Sequence, residues 1–300
     1  MGYLFVALAL LCGITKGFCG KKTSGLLSTF SSAMLFNAIR MLICVPIGLL
    51  FVAIYTGSLA GLVIDGETLL ISAVTGISTS VFVVTWLVSV RTGAYMMVDI
   101  FPTLGVIIPV AACRIFFGEP VRWNHLVGIL LLGAAAYIMC TYNQSIGKAK
   151  LSGGSLLLLT ACGCANGLTS FCQKWFQYRS STDASVYNFY TYCFSAATLL
   201  FCWMIVHKKQ EQTEGTGVSS KLRSLGIYVG IMSLCIFLHS YFSTLAAAWL
   251  PSSQLYPLMQ GGALVLSLLM CAVFFGEKIT ARCLAGIAVA FGALLCINLL

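Results

Sequence analysis

Four ionisable side chains interrupt otherwise apolar runs of this sequence: Lys16 in "LLCGITKGFCG", Arg40 in "LFNAIRMLICV", Asp99 in "MMVDIFP" and His239 in "CIFLHSYFST". A charged side chain near the centre of a membrane helix costs about 2.5–3.5 kcal/mol on insertion scales, so each must pair with a partner or face a polar pathway. At 1.5 Å per residue, Arg40 and Asp99 lie roughly 15 Å and 8 Å into spans that enter from the same side, a gap a long arginine can close. They form either a structural ion pair or a pathway pair, with Asp99 a proton or cation site and Arg40 an anion clamp. His239 is either a neutral hydrogen-bonding bridge between helices or a proton relay titrating near neutrality. Lys16 either lines a pocket or snorkels to the interface.

Weaker candidates accompany these four. Asn166 stands in "CGCANG" where Lys16 stands in "CGITKG", and Asn37 corresponds to Asn188 in the same way. The asparagines suit ligand contact or a hydrogen bond between helices. Trp86, Tyr95, Tyr187, Tyr256 and Gln260 would suit an amphipathic pocket, or serve as packing and interfacial anchors. Gly13, Gly17, Gly163 and Gly167 permit close helix approach. Glu119 and Glu277 each follow a glycine suited to ending a helix, where a carboxylate accepts backbone N–H groups of the next helix start, so they read as structural.

The elements that must position these residues follow from composition. The 300 residues are 59% hydrophobic and 8% charged, against about 25% charged in soluble domains. Apolar runs of about 20 residues, the length that crosses a ~30 Å hydrocarbon core, follow one another almost without pause. Their apolarity does not alternate as in a barrel, so they are helices. Ten spans are expected, at 2–20, 29–55, 67–90, 94–115, 123–141, 152–172, 183–206, 223–246, 252–273 and 281–299. The first lacks a basic leading segment and reads as a retained span rather than a signal peptide. The polar stretch from His207 to Arg223 reads as a loop.

Eleven basic residues fall on the side of the odd-numbered connections and four, Arg114, Arg122, Lys174 and Arg179, on the other. The positive-inside rule therefore puts the first side in the cytoplasm and both termini outside. The formal net charge of +9 reflects this bias, because no dense basic cluster offers a nucleic-acid site. Nearly all of the 14 cysteines lie inside apolar runs and none forms a C-x-x-C pair, so they read as small reduced packing residues. Cys162 and Cys164, two apart on a helix, face different directions.

The chain also repeats itself. "FFGE" at Phe116–Glu119 recurs at Phe274–Glu277, and Gly128-Ile129 matches Gly286-Ile287 at the same offset of 158. "CGITKG" at Cys12–Gly17 matches "CGCANG" at Cys162–Gly167 at offset 150. Two five-helix units result, 1–147 and 151–300, and because five is odd the second is inverted. Inverted repeats place a substrate site near mid-membrane and expose it to either side by rocking.

"FFGEPVRWNHLVGILLLGAAAYIM" and "FFGEKITARCLAGIAVAFGALL", one in each half, resemble the EamA-like branch of the drug/metabolite transporter superfamily, in which a "GE" turn joins the fourth and fifth helices of each repeat. The likeness covers essentially the whole chain. It implies carrier-mediated movement of small polar or amphipathic metabolites or drugs, by exchange or proton coupling, with both termini in the cytoplasm.

The expected protein is thus an all-α polytopic plasma-membrane transporter with a cavity between its halves, lined by spans one to four and six to nine. Its partners would be a small-molecule substrate and the lipid bilayer, with no nucleic acid, and one chain would suffice as a monomer. No G-x-S-x-G, H-E-x-x-H or phosphate-binding loop occurs, and no cofactor or metal is expected. The rival classes are a channel, whose flux would not saturate, and a non-transporting scaffold.

Overall fold

A computed structural model describes residues 1–24, 30–92, 100–146, 153–210, 226–276 and 281–299. Its helices are α1 (Gly2–Ser24), α2 (Phe30–Thr56), α3 (Gly66–Thr92), α4 (Ile100–Leu104), α5 (Ile107–Phe117), α6 (Trp123–Ile146), α7 (Gly153–Arg179), α8 (Ala184–Gln210), α9 (Gly226–Trp249), α10 (Ser252–Phe275) and α11 (Ala281–Leu299). A 3₁₀ turn at Leu59–Leu62 precedes α3. Among the described residues seven helices are long and apolar enough to cross a membrane, and three further apolar segments, Phe101–Phe117, Trp123–Ala135 and Leu284–Ile297, are shorter. The chain is an all-helical, multi-pass membrane protein.

Large apolar side chains such as Leu50, Ile54, Leu130 and Phe201 face outward, while many serines and threonines lie buried. This inverts the soluble pattern and suits a hydrocarbon solvent. Buried hydroxyls survive there because they bond to carbonyls one turn back, as Thr75 does to Ile71 and Ser233 to Val229. Helices pair as α1 with α9, α2 with α8, α3 with both α7 and α8, and α6 with α11. The first apolar run is therefore an integral helix of the bundle. The described cysteines are free thiols, with Cys162 buried and Cys164 exposed.

Two departures from the expected spans have local causes. The fourth span is broken between α4 and α5. Pro109 has no N–H to return to the carbonyl of Gly105, which accepts the Ile108 N–H at 3.1 Å instead, and Val106 turns back to Thr103 at 3.3 Å. The sixth span continues seven residues beyond its expected end, to Arg179. Lys174, expected among the connecting-loop charges, is consequently a buried helical residue, 6% exposed; the corrected placement follows from the partners described below.

Gly118 and Gly276, which precede the two "GE" glutamates, end α5 and α10 with φ of 66° and 64°. Their backbone N–H groups return to Cys113 and Cys271. A side chain with a Cβ rarely adopts that left-handed geometry, which accounts for the glycine in both copies.

Candidate functional site

A cavity of about 140 Å³ lies inside the bundle, lined from α1, α3, α4, α7, α8, α9 and α10. An engineered cavity of about 150 Å³ admits benzene, so the space suits one small solute. No described residue of α2 belongs to its lining, which narrows the expected set of lining spans.

Of the candidates read from sequence, Lys16, Trp86, Asn166, His239, Tyr256 and Gln260 are brought together around this cavity. The Lys16 ammonium stands 5.8 Å from the Phe82 ring centroid. Trp86 reaches α1 at Gly20, where an added Cβ would come within 2.8 Å of the indole. His239 Nδ1 is 2.8 Å from the carbonyl of Ala9. A carbonyl only accepts, so Nδ1 carries the proton and Nε2 is left as an acceptor in a neutral ring. Tyr256 donates its hydroxyl to the Ser170 carbonyl.

Asn166 donates to the Pro102 carbonyl at 3.5 Å, at the α4 break. The same break lets backbones touch. An added Cβ on Gly163 would lie 2.5 Å from the Phe101 carbonyl oxygen, and one on Gly167 would lie 2.5 Å from that of Gly105. The glycines thus hold a broken helix against α7, and its displaced carbonyls lie where the cavity begins.

Four other candidates lie outside the lining. Asn37 and Arg40 bond to each other, Nη1 to Oδ1 at 2.7 Å, with Asn37 also donating to Ala33 and Val83. The Arg40 guanidinium is 5.6 Å from the Phe36 ring, and among the described residues its Nε has no partner. Asn188 donates to Ala184 and Thr244 and accepts from Ser240 at 2.7 Å. Tyr187 bonds Thr75 and stacks on Phe176 at 4.3 Å. Tyr95, Asp99 and Glu277 lie outside the described residues, and so does any pairing of Asp99 with Arg40.

Several lining residues were not singled out in the sequence: Thr169, Ser170, Gln173, Tyr192, Ser240 and Ser243. The signal was present as spacing. Positions 166, 169, 170 and 173 follow the i, i+3, i+4, i+7 rule of one helix face, as do 236, 239, 240 and 243. The Thr169 hydroxyl has no partner among the described residues, which leaves it available to whatever occupies the cavity. Among the described residues no group of three His, Cys, Asp or Glu side chains could hold a metal.

A second buried polar cluster sits one helical turn away, at the end of the bundle that carries the α5–α6 and α9–α10 turns. Glu119 accepts the Ser252 N–H at 2.7 Å and the Ser252 hydroxyl on Oε2, and the Tyr178 hydroxyl at 2.8 Å on Oε1. Lys174 Nζ lies 3.2 Å from Oε1 and donates to the carbonyls of Ala247 and Leu250 at 2.7 Å each. All three ammonium protons are therefore used. The glutamate was expected to face the start of its own following helix; instead it caps α10, where Pro251 at the N-cap supplies no side-chain bond. The lysine meets the last carbonyls of α9. Each charge complements the helix dipole end it faces.

Burial alone would raise the Glu119 pKa, but the Ser252 hydroxyl, the Lys174 charge, the Tyr178 hydroxyl and the Ser252 amide outweigh it and hold the carboxyl below its ordinary 4.5. Cys113 packs nearby, and Arg114 donates to the Glu119 backbone carbonyl at 3.2 Å. A depressed carboxylate pKa contributes stability that is complete above the unfolded value and lost as pH falls through the folded one. The melting temperature in detergent should therefore fall from pH 5 towards pH 3 more steeply for wild type than for Glu119→Gln. Parallel profiles would contradict this assignment.

Fold and cavity together define a multi-pass helical membrane protein with a mainly apolar chamber in its interior, into which several polar side chains project. No family model and no curated protein matches the chain. A protein of known crystal structure is similar, with a TM-score of 0.69 over 99% of this chain and 97% of its own, at 16% identity. At that identity the likeness is one of fold.

Proposed function

We propose that this protein is a secondary transporter of the plasma membrane, built from two inverted five-helix repeats of the drug/metabolite transporter type, that carries a small polar or amphipathic solute by alternating access. The observation that carries this reading is the meeting of Lys16 and Asn166, equivalent positions of the two repeats, at one cavity. The helix contacts agree with it. Exchanging the halves turns the α1–α9 pair into α7–α3 and maps α2–α8 and α6–α11 onto themselves, and all of these pairs are in contact. The α4–α5 break adds a further feature of carriers, irregular backbone beside a cavity. In this conformation the chamber accommodates a solute of about the size of benzene, which supports a compact substrate. Its role is carriage rather than bond making.

The test is a thermal-shift screen of purified protein against amino acids, amines, nucleosides and sugar derivatives, followed by counterflow of the hit in proteoliposomes. A hit should stabilise wild type and bind Lys16→Met or Gln260→Leu at least about tenfold more weakly, a loss of about 1.4 kcal/mol. Saturable counterflow supports the carrier. Flux that rises without saturation would mean a channel, and no flux for any hit would mean a scaffold.

A further inference from the structure

The Glu119–Lys174 cluster is more than a helix cap, because of what it joins and what it covers. Glu119 belongs to the first repeat, whereas Lys174, Tyr178 and Ser252 belong to the second. At the same end of the bundle Thr68 bonds Ser180 at 2.8 Å, the Trp175 indole donates to Glu67 at 3.1 Å, and Tyr190 donates to the Leu62 carbonyl at 2.7 Å. Each of these contacts also runs from one half to the other. Phe117 stacks on Tyr178 at 4.5 Å and closes the apolar side of the cluster.

The cluster is one turn from the cavity along two helices. On α7, Ser170 lines the cavity and Lys174 is four residues on; on α10, Ser252 is capped by Glu119 and Tyr256 lines the cavity four residues on. Four residues rise about 6 Å. The Tyr256 hydroxyl bonds the Ser170 carbonyl and ties those two helices together directly beneath the ion pair. An exposed pair contributes little, whereas parting a buried one leaves two uncompensated charges unless water or another partner reaches them.

We propose that the Glu119–Lys174 pair, with Tyr178 and Ser252, is the gate that seals the cavity at this end of the bundle, and that the carrier opens there by breaking it. This rests on the alternating-access reading. Lys174 is carried by α7 and Glu119 by the turn between α5 and α6, so an opening that moves α7 away from that turn at this end must part them. The three protons of Lys174 would then leave the α9 carbonyls and Glu119 would release the α10 start, which frees the ends of the two helices that form the cavity wall.

The test uses Met259→Cys, a cavity-lining position on α10, in sealed membrane vesicles of both orientations, with a membrane-impermeant maleimide and mass-spectrometric readout of the peptide containing residue 259. Ser181→Cys, at an exposed position of the sealed end, reports which end faces the reagent. The neutral double variant Glu119→Gln/Lys174→Met leaves no unpaired buried charge. In it, labelling of residue 259 from the gate end should rise at least tenfold while labelling from the opposite end falls. A rise at both ends would mean general loosening, and an unchanged pattern would mean a static brace; either overturns the gate. A Met259→Cys parent that labels from one end only would instead overturn the carrier reading itself, because alternating access exposes the cavity to each side in turn. Should the double variant not fold, Tyr178→Phe removes one bond of the cluster, and a rise of a few fold confined to the gate end is expected, with no rise counting against the gate.

Discussion

Lys174→Met should lower the stability of the purified protein by about 3–5 kcal/mol, the usual consequence of removing one partner from a buried ion pair. Methionine fills the space of the lysine stem but leaves the Glu119 carboxylate buried beside an apolar group. It also strips the Ala247 and Leu250 carbonyls of their donor. Glu119→Gln should cost less, because an amide oxygen still accepts from Ser252. The double variant should recover much of the Lys174→Met loss, since neutral neighbours carry no unpaired charge, and this non-additivity is the signature of direct coupling. Thermal unfolding of all four proteins completes the cycle. A Lys174→Met protein as stable as wild type, or strictly additive effects, would show that the pair contributes nothing.

Gly163→Val should prevent assembly of a monodisperse protein, an effect larger than the 1–3 kcal/mol of ordinary overpacking. The first atoms a Cβ at Gly163 meets are the carbonyl oxygen and carbon of Phe101, at 2.5 Å and 3.1 Å, and the Gly163 carbonyl in turn lies 2.3 Å from where a Cβ on Gly105 would stand. Backbone cannot rotate away as a side chain can. The α4–α5 segment would have to leave α7, and with it the Pro102 carbonyl that Asn166 holds. Gly230 on α9 is the control, because nothing lies within 4 Å of a Cβ there; Gly230→Ala should be neutral or stabilise by up to about 1 kcal/mol. Size-exclusion profiles and melting curves of the two variants decide the matter. Wild-type behaviour of Gly163→Val would mean that the close crossing is not required.

Six of the twelve residues picked out in the sequence line the cavity, and the reason is the cost of polarity in hydrocarbon. Lys16, Asn166 and His239 stand out against apolar neighbours, and such groups turn inward wherever the helix sits. That logic finds buried polarity but does not say what the polar group meets. Asn37, Arg40 and Asn188 are equally conspicuous, yet they lie outside the lining: Asn37 bonds Arg40 within α2 and Val83 on α3, and Asn188 bonds Ser240 and Thr244 on α9. Gln173 and Ser243 emerge only from the spacing of a helix face, because neither stands out from its neighbours as a single position.

By itself the sequence determined the helical membrane class, the glycine-ended turns at Gly118 and Gly276, and the internal correspondences, because chain length against hydrocarbon thickness, φ preference and residue identity are local properties. Only the tertiary structure decided that Glu119 caps α10 rather than its own next helix, that Lys174 is a buried partner rather than a loop charge, and that the Pro109 break is held open by α7. Each of these depends on a group supplied from 50 or more residues away in the chain, and the hydrogen-bond needs of a helix end state that a partner must exist without naming it.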